Sequence, residues 1–211
     1  MNDHYVINLG RQLGSGGKEI GEKLAKALNI AFFDKELIKL ASDESGLCKE
    51  FFEKADERAQ QTMLGGLFGG RFPFISDGTL PYGSFLNNDS LFKIQSDVIR
   101  QLAENQSCLF VGRCADYILR DYKGCVSVFI HAKEEDCVRR IIARNSGMGE
   151  SEARDLAQKR NKIRAAYYNF YTDKVWGDGA TYDMCINSSA IGTKAAAQLI
   201  AEFVRQRGLI E

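Results

Sequence analysis

The chain has 211 residues, enough for one well-packed domain with insertions or for two small ones. Lysine plus arginine and aspartate plus glutamate both number 28, so no net positive field favours a nucleic-acid polymer or an anionic membrane, and any anion binding must arise locally. No apolar run approaches the ~20 residues of a membrane span and no signal-peptide core is expected at the N-terminus; with six scattered cysteines this points to a reduced, cytoplasmic protein with its thiols in the core.

Tyr5-Val6-Ile7-Asn8-Leu9 is short enough for a buried strand and ends at Gly10. Gly14, Gly16 and Gly17 then precede Lys18, after which Ile20, Leu24, Ala27 and Leu28 take up helical spacing. A strand, a glycine-rich turn and a helix opening on a lysine are the physical recipe for a phosphate cradle. Backbone amides converge on the anion, the helix start adds partial positive charge, and the lysine reaches the outer phosphates. The pattern G-x-x-x-x-G-K-[ST] would put glycine at position 12 and Ser or Thr at position 19, where this chain has Gln12 and Glu19. The competing reading is a plain strand-to-helix turn, which needs only one or two glycines.

Ile30 to Phe33 reads as a second strand ending at Asp34, which either caps a helix from Lys35 to Ser45 or faces a ligand crevice with Lys35. Residues 46–89 hold both prolines and many glycines, so they read as loops and turns forming an insertion. Its Phe72, Phe74, Tyr82 and Phe85 either stack on a base or build a small local core. Helical spacing returns from Ser90 to Asn105, and Cys108 to Val111 is a third strand ending in Gly112-Arg113. An arginine at that place holds a phosphate bidentately or lies on the surface of the next helix. Cys125 to Ile130 is a fourth strand and Lys133 to Arg144 a helix.

Gly147 and Gly149 break the chain before a helix from Glu150 to Tyr171. Arg140 with Arg144, and Arg160 with Arg164, each share a helical face. They form either a solvated surface or a lid whose arginines close over transferring phosphates and exclude water. Tyr182 to Ile186 is a fifth strand ending at Asn187-Ser188-Ser189, followed by a terminal amphipathic helix. Five strand–helix alternations predict a parallel sheet with helices on both faces. With no C-x-x-C pair and only His4 and His131, neither a structural zinc site nor a Ser-His-Asp triad is expected.

The segments GRQLGSGGKEIGEKLA (10–25), FFDKELIKLA (32–41), VIRQLAENQSCLFVGRCADYIL (98–119), KIRAAYYNFYTDKVWGDG (162–179) and YDMCINSSAIG (182–192) resemble the nucleoside monophosphate kinases, above all the cytidylate-kinase-like family of P-loop proteins. The resemblance implies a five-stranded parallel sheet ordered 2-3-1-4-5, flanked by helices. It implies one domain with a core at 1–45, 90–144 and 176–211, an acceptor-binding insertion at 46–89 and a helical lid at 145–175. The implied reaction is ATP-dependent, Mg2+-assisted phosphoryl transfer to a nucleoside monophosphate of CMP or dCMP type.

By the same resemblance Gly14, Ser15, Gly16, Gly17, Lys18 and Glu19 fall on the loop that holds the ATP phosphates. Arg113 falls on the residue that holds the acceptor's phosphate, and Lys18, Arg160 and Arg164 on the catalytic cations. Asp34, Lys35 and Asn161 fall on acceptor contacts, and no side chain is assigned to the metal. Three positions depart from the family pattern. Asp34-Lys35-Glu36 stands for Asp-Ser-Gly, Gly112-Arg113-Cys114 for G-R-D, and Asn161 for a lid aspartate. All three bear on the acceptor. Two alternatives therefore stay open: a P-loop kinase of another small phosphate acceptor, and a nucleotide-binding regulatory protein without transfer activity.

Overall fold

The computed structural model describes residues 4–34 and 82–211. Strands β1 (Val6–Arg11), β2 (Ala31–Phe33), β3 (Cys108–Phe110), β4 (Cys125–His131) and β5 (Met184–Asn187) alternate with helices. These are α1 (Gly17–Leu28), α2 (Tyr82–Asn105), α3 (Ala115–Ile118), α4 (Glu134–Arg144), α5 (Glu150–Thr172) and α6 (Ser188–Gln206). All strand pairs are parallel and the order is β2-β3-β1-β4-β5, as the resemblance implied.

Side chains alternate across the sheet, and both faces are covered. On one face Ile7, Leu9, Leu109, Val126, Val128, Ile130 and Ile186 meet Ile20 and Leu24 of α1 and Ala196, Ile200 and Val204 of α6. On the other, Val6, Cys108 and Phe110 meet Val98, Ile99 and Ala103 of α2 and Ala115 and Ile118 of α3. Further along that face Phe129 packs with Tyr168 of α5 and with Tyr182 and Trp176. Val6, Ile7 and Leu9 are wholly withdrawn from water, each contributing roughly 1.5–3 kcal/mol by burial. That anchors β1 at the centre and fixes where its C-terminal end delivers the following loop.

Three features differ from the expectations. Helix α2 begins at Tyr82, eight residues before the expected Ser90. Gly83, Asn87 and Asn88 argued for a loop, but each costs a helix only about 1 kcal/mol or less, which a long helix packed along the sheet absorbs. The short helix α3 follows β3 directly, and its four residues carry too little periodicity to be read from sequence. Cys185 is exposed on the edge strand β5 rather than in the core.

The remaining described cysteines, Cys108, Cys114, Cys125 and Cys137, are free thiols that are buried or half-buried, and burial pushes Cys108 and Cys125 up to about 12. Lys35, the helix expected up to Ser45, Cys48, Phe72 and Phe74 lie outside the described residues. No helix among the described residues is long and apolar enough to cross a membrane.

Helix α5 is tied to the core through its side chains. The Tyr168 hydroxyl donates to Asp116 Oδ2 of α3 at 2.5 Å, where burial raises the Asp116 carboxyl above its usual range. Tyr168→Phe would leave a buried carboxylate without its charge-assisted donor, a loss of about 1.5–3 kcal/mol. Chemical denaturation of the variant checks this, and an unchanged midpoint would sink it.

Candidate active site

The C-terminal ends of β1, β2 and β3 converge on one edge of the sheet, where a parallel α/β fold gathers loops and helix starts. The loop from Gln12 to Gly16 turns β1 into α1. Gly14 has φ +79° and Gly16 φ +78°, and a Cβ on Gly14 would stand 2.5 Å from the Cys137 carbonyl oxygen. Only glycine fits there.

Contacts on every side set the loop's shape. The Gln12 N–H donates to the Ile130 carbonyl at 3.0 Å, and the Leu13 N–H to Asn161 Oδ1 at 2.8 Å. The Gly14 carbonyl accepts from Arg140 at 3.0 Å, and the Ser15 carbonyl accepts from Ser188 Oγ at 2.6 Å. Those carbonyls are engaged by α4 and α6, and the Gly17 N–H donates to Ser15 Oγ at 3.3 Å, so the amides next along the first turn of α1, at Lys18 and Glu19, are the ones a helix start offers to an anion.

Beside the loop lies a cluster of cations. Lys18 Nζ is 3.4 Å from Asp34 Oδ2, and Arg11 Nη2 is 3.3 Å from Asp34 Oδ1, so one carboxylate bridges two elements. Arg164 donates from Nη1 to the Arg11 carbonyl at 3.1 Å. Burial, and then the neighbouring Arg11, pushes Arg164 down to about 9; Arg160 and Arg113 add to the fall and Asp34 opposes it. Arg11 is lowered by burial and by Arg113, against Asp34. Guanidinium groups crowded at one place, each making the next harder to charge, have the chemistry to accept an anion.

Of the residues expected from sequence, Gly14, Ser15 and Gly16 lie in the loop, Gly17 and Lys18 open α1, Asp34 pairs with Lys18, and Arg113 and Arg164 lie within charge range of Arg11. Arg160 is exposed, one turn before Arg164 on α5, and Asn161 accepts from the Leu13 amide. Ser15 is fully buried, its hydroxyl donating to the Gln12 carbonyl at 2.8 Å. Glu19 turns to Lys23 at 2.6 Å and to Thr193 of α6 at 2.8 Å, and these bonds lower its carboxyl below the usual range.

One site residue goes unread in the sequence, Arg11, and Gln12 is read there only as a departure from the glycine pattern. The signal for Arg11 was present: Gly10-Arg11 ends β1 as Gly112-Arg113 follows β3. Gln12 anchors the Ala132 amide through Oε1 at 3.3 Å and, with Phe129, His131, Trp176 and Gly177, lines a pocket of about 270 Å³ on the β4 side of the loop.

The sequence profile of the cytidylate kinase-like family matches residues 6–190. No curated protein sequence matches the chain. Among solved structures, an uncharacterized protein from Eubacterium ventriosum ATCC 27560 shares 28% identity at a TM-score of 0.70, covering 96% of this chain and 99% of its own. A shikimate kinase from Bacteroides thetaiotaomicron superposes at 0.52 with 14% identity, over 95% of this chain and 98% of the kinase. A gluconokinase from Sinorhizobium meliloti 1021 superposes at 0.51 with 13% identity, over 98% and 97%. The last two likenesses concern the fold alone.

The depressed Arg164 yields a signed expectation. The folded chain binds its proton less tightly than the unfolded chain, so the cost of the charge is fully present below about pH 9 and is relieved as the pH rises past that value. Arg164→Met should abolish this rise in stability above pH 9 while leaving the unliganded protein at neutral pH as stable as before or more so. Thermal unfolding of both proteins across that range is the check; a lower melting temperature for the variant at pH 7 would contradict it.

Proposed function

The chain belongs to the cytidylate kinase-like family, and from that premise we propose that it transfers the γ-phosphoryl group of ATP to a nucleoside monophosphate of CMP or dCMP type. The observation that carries the reading is the Asp34 bridge between Lys18, on the cradle, and Arg11, beside Arg113 and Arg164. It joins a loop shaped for donor phosphates to a second cationic surface facing it.

Phosphoryl transfer asks the protein for positioning and charge neutralisation more than for a covalent nucleophile. The loop amides and Lys18 hold the β- and γ-phosphates, the family role of Gly14 to Lys18. Arg113 orients the acceptor's phosphate so that its oxygen lies in line with the γ-phosphorus. Arg164, with Arg160 on the same helical face, neutralises charge as the new P–O bond forms and the bond to the ADP oxygen breaks. In this reading 145–175 acts as the lid and 46–89 as the acceptor-binding insertion, in a cytoplasmic protein.

The loop suits a nucleotide phosphate: a Cβ at Gly14 would collide with the Cys137 backbone behind it, so glycine there lets the loop keep the shape that presents the start of α1 to an anion. Magnesium, when bound with the nucleotide, would supply positive charge that offsets the charge of the donor phosphates. With Glu19 turned to Lys23 and Thr193, its ligands here would be mainly phosphate oxygens and water, with Asp34 the nearest carboxylate on Lys18.

Asp34 also favours a second reading. A carboxylate within 3.4 Å of the cradle lysine is placed to accept a hydrogen bond from an acceptor hydroxyl, as a kinase of a hydroxylated small molecule needs. An ADP-release assay with Mg-ATP and a panel of nucleoside monophosphates separates the two: turnover with CMP or dCMP is expected. Silence across that panel with turnover of a hydroxy acid or sugar would favour the second reading. ATP binding with no ADP released by any acceptor would mark a regulatory protein. Lys18→Ala should lower turnover by ~10²-fold or more, and full activity in that variant would remove the loop from the mechanism.

A further inference from the structure

Arg11 belongs to none of the positions the family resemblance assigns, yet its side chain crosses the acceptor half of the site. It leaves the end of β1, passes over Gly112 beyond β3 and reaches Asp34 beyond β2. In the order β2-β3-β1 that is the full width of the sheet on that side. Gly112 makes the path possible. It has φ +79°, and a Cβ there would collide with the Arg11 guanidinium, so any side chain at 112 would displace Arg11 from Asp34. The Arg11 side chain is about one-fifth exposed, open enough to meet a ligand and shielded enough for its charge to act strongly.

We infer that Arg11, together with Arg113 and Arg164, forms the floor of a seat for a dianionic phosphate on the acceptor side, and that Asp34 occupies Arg11 until that phosphate arrives. Three guanidinium groups within charge–charge range of one another suit a doubly charged tetrahedral anion better than the single carboxylate now on Arg11. Identifying the anion as the acceptor's own phosphate rests on the proposed function; the seat itself does not.

The test is binding, read without turnover. With the cradle filled by a non-hydrolysable ATP analogue, inorganic phosphate and CMP are titrated calorimetrically into the wild type, Arg11→Gln, Arg11→Lys and Asp34→Asn. Arg11→Gln should weaken phosphate and CMP at least ~10-fold, with Arg11→Lys between it and the wild type, because lysine keeps the charge and loses the fork. Asp34→Asn should tighten phosphate several-fold by removing the competing carboxylate. Wild-type affinity for CMP should rise from pH 5.5 to 7.5, through the second ionisation of its phosphate monoester at about 6.

If Arg11 served only to hold Asp34, the Arg11 and Asp34 variants would shift affinity in the same direction, and the inference would fall. It would fall equally if Arg11→Gln weakened the ATP analogue as much as phosphate, since Arg11 would then belong to the donor half. Should Arg11→Gln not fold, Arg11→Lys and Asp34→Asn still decide through the opposite signs of their shifts. Tight phosphate binding lost in Arg11→Gln, alongside a wild type inactive on every nucleoside monophosphate, would overturn the kinase reading and leave the seat standing.

Discussion

The site depends on a single carboxylate. Asp34 stands between Lys18 and Arg11 at 3.4 and 3.3 Å, with Arg113 and Arg164 close enough to disturb the charge of Arg11 or of each other. Two unit charges 4 Å apart interact by about 4 kcal/mol at an effective dielectric of about 20, so the position of this carboxylate weighs on both cations it touches. The site concentrates charge at one place in a chain with no net charge overall. Sheet topology concentrates the charge: β1, β3 and β2 are neighbours, so residues 11, 113 and 34 arrive at adjacent strand ends although they are far apart in sequence.

Much of this was legible in sequence because the core obeys local rules. Five apolar runs became five strands, and helical spacing around Ile20, Leu24, Val98 and Ile99 became helices packed on opposite faces. The glycines before Lys18 announced the loop, for the steric reason that Gly14 must pass the backbone of Cys137. The strand order came from resemblance, since no local pattern says which strand lies beside which.

What stayed hidden depended on contacts between distant elements. Glu19 looks like a residue at a metal position until Thr193, far along the chain, is seen to hold it. Asn161 reads in sequence as an acceptor contact, and only the fold shows that its side chain accepts from the Leu13 amide. Arg11 follows a strand-ending glycine, as Arg113 does, but only the β2-β3-β1 order shows that it reaches Asp34. Helix α5 thus meets the loop through Asn161 and Arg164 and the core through Tyr168, so its arginines are held from both ends.

Gly112, Arg113 and Cys114 take φ values of +79°, +62° and +55°, three successive residues in the left-handed region. For residues with a side chain that conformation costs roughly 1–2 kcal/mol each, and glycine at either of the last two positions would relieve it. The backbone therefore favours losing the side chain at 113 to which the proposed phosphate seat assigns a role. Fitness for folding and fitness for binding select opposite residues there, so a population screened for thermostability alone would drift toward glycine, while one maintained by its substrate would retain a strained arginine.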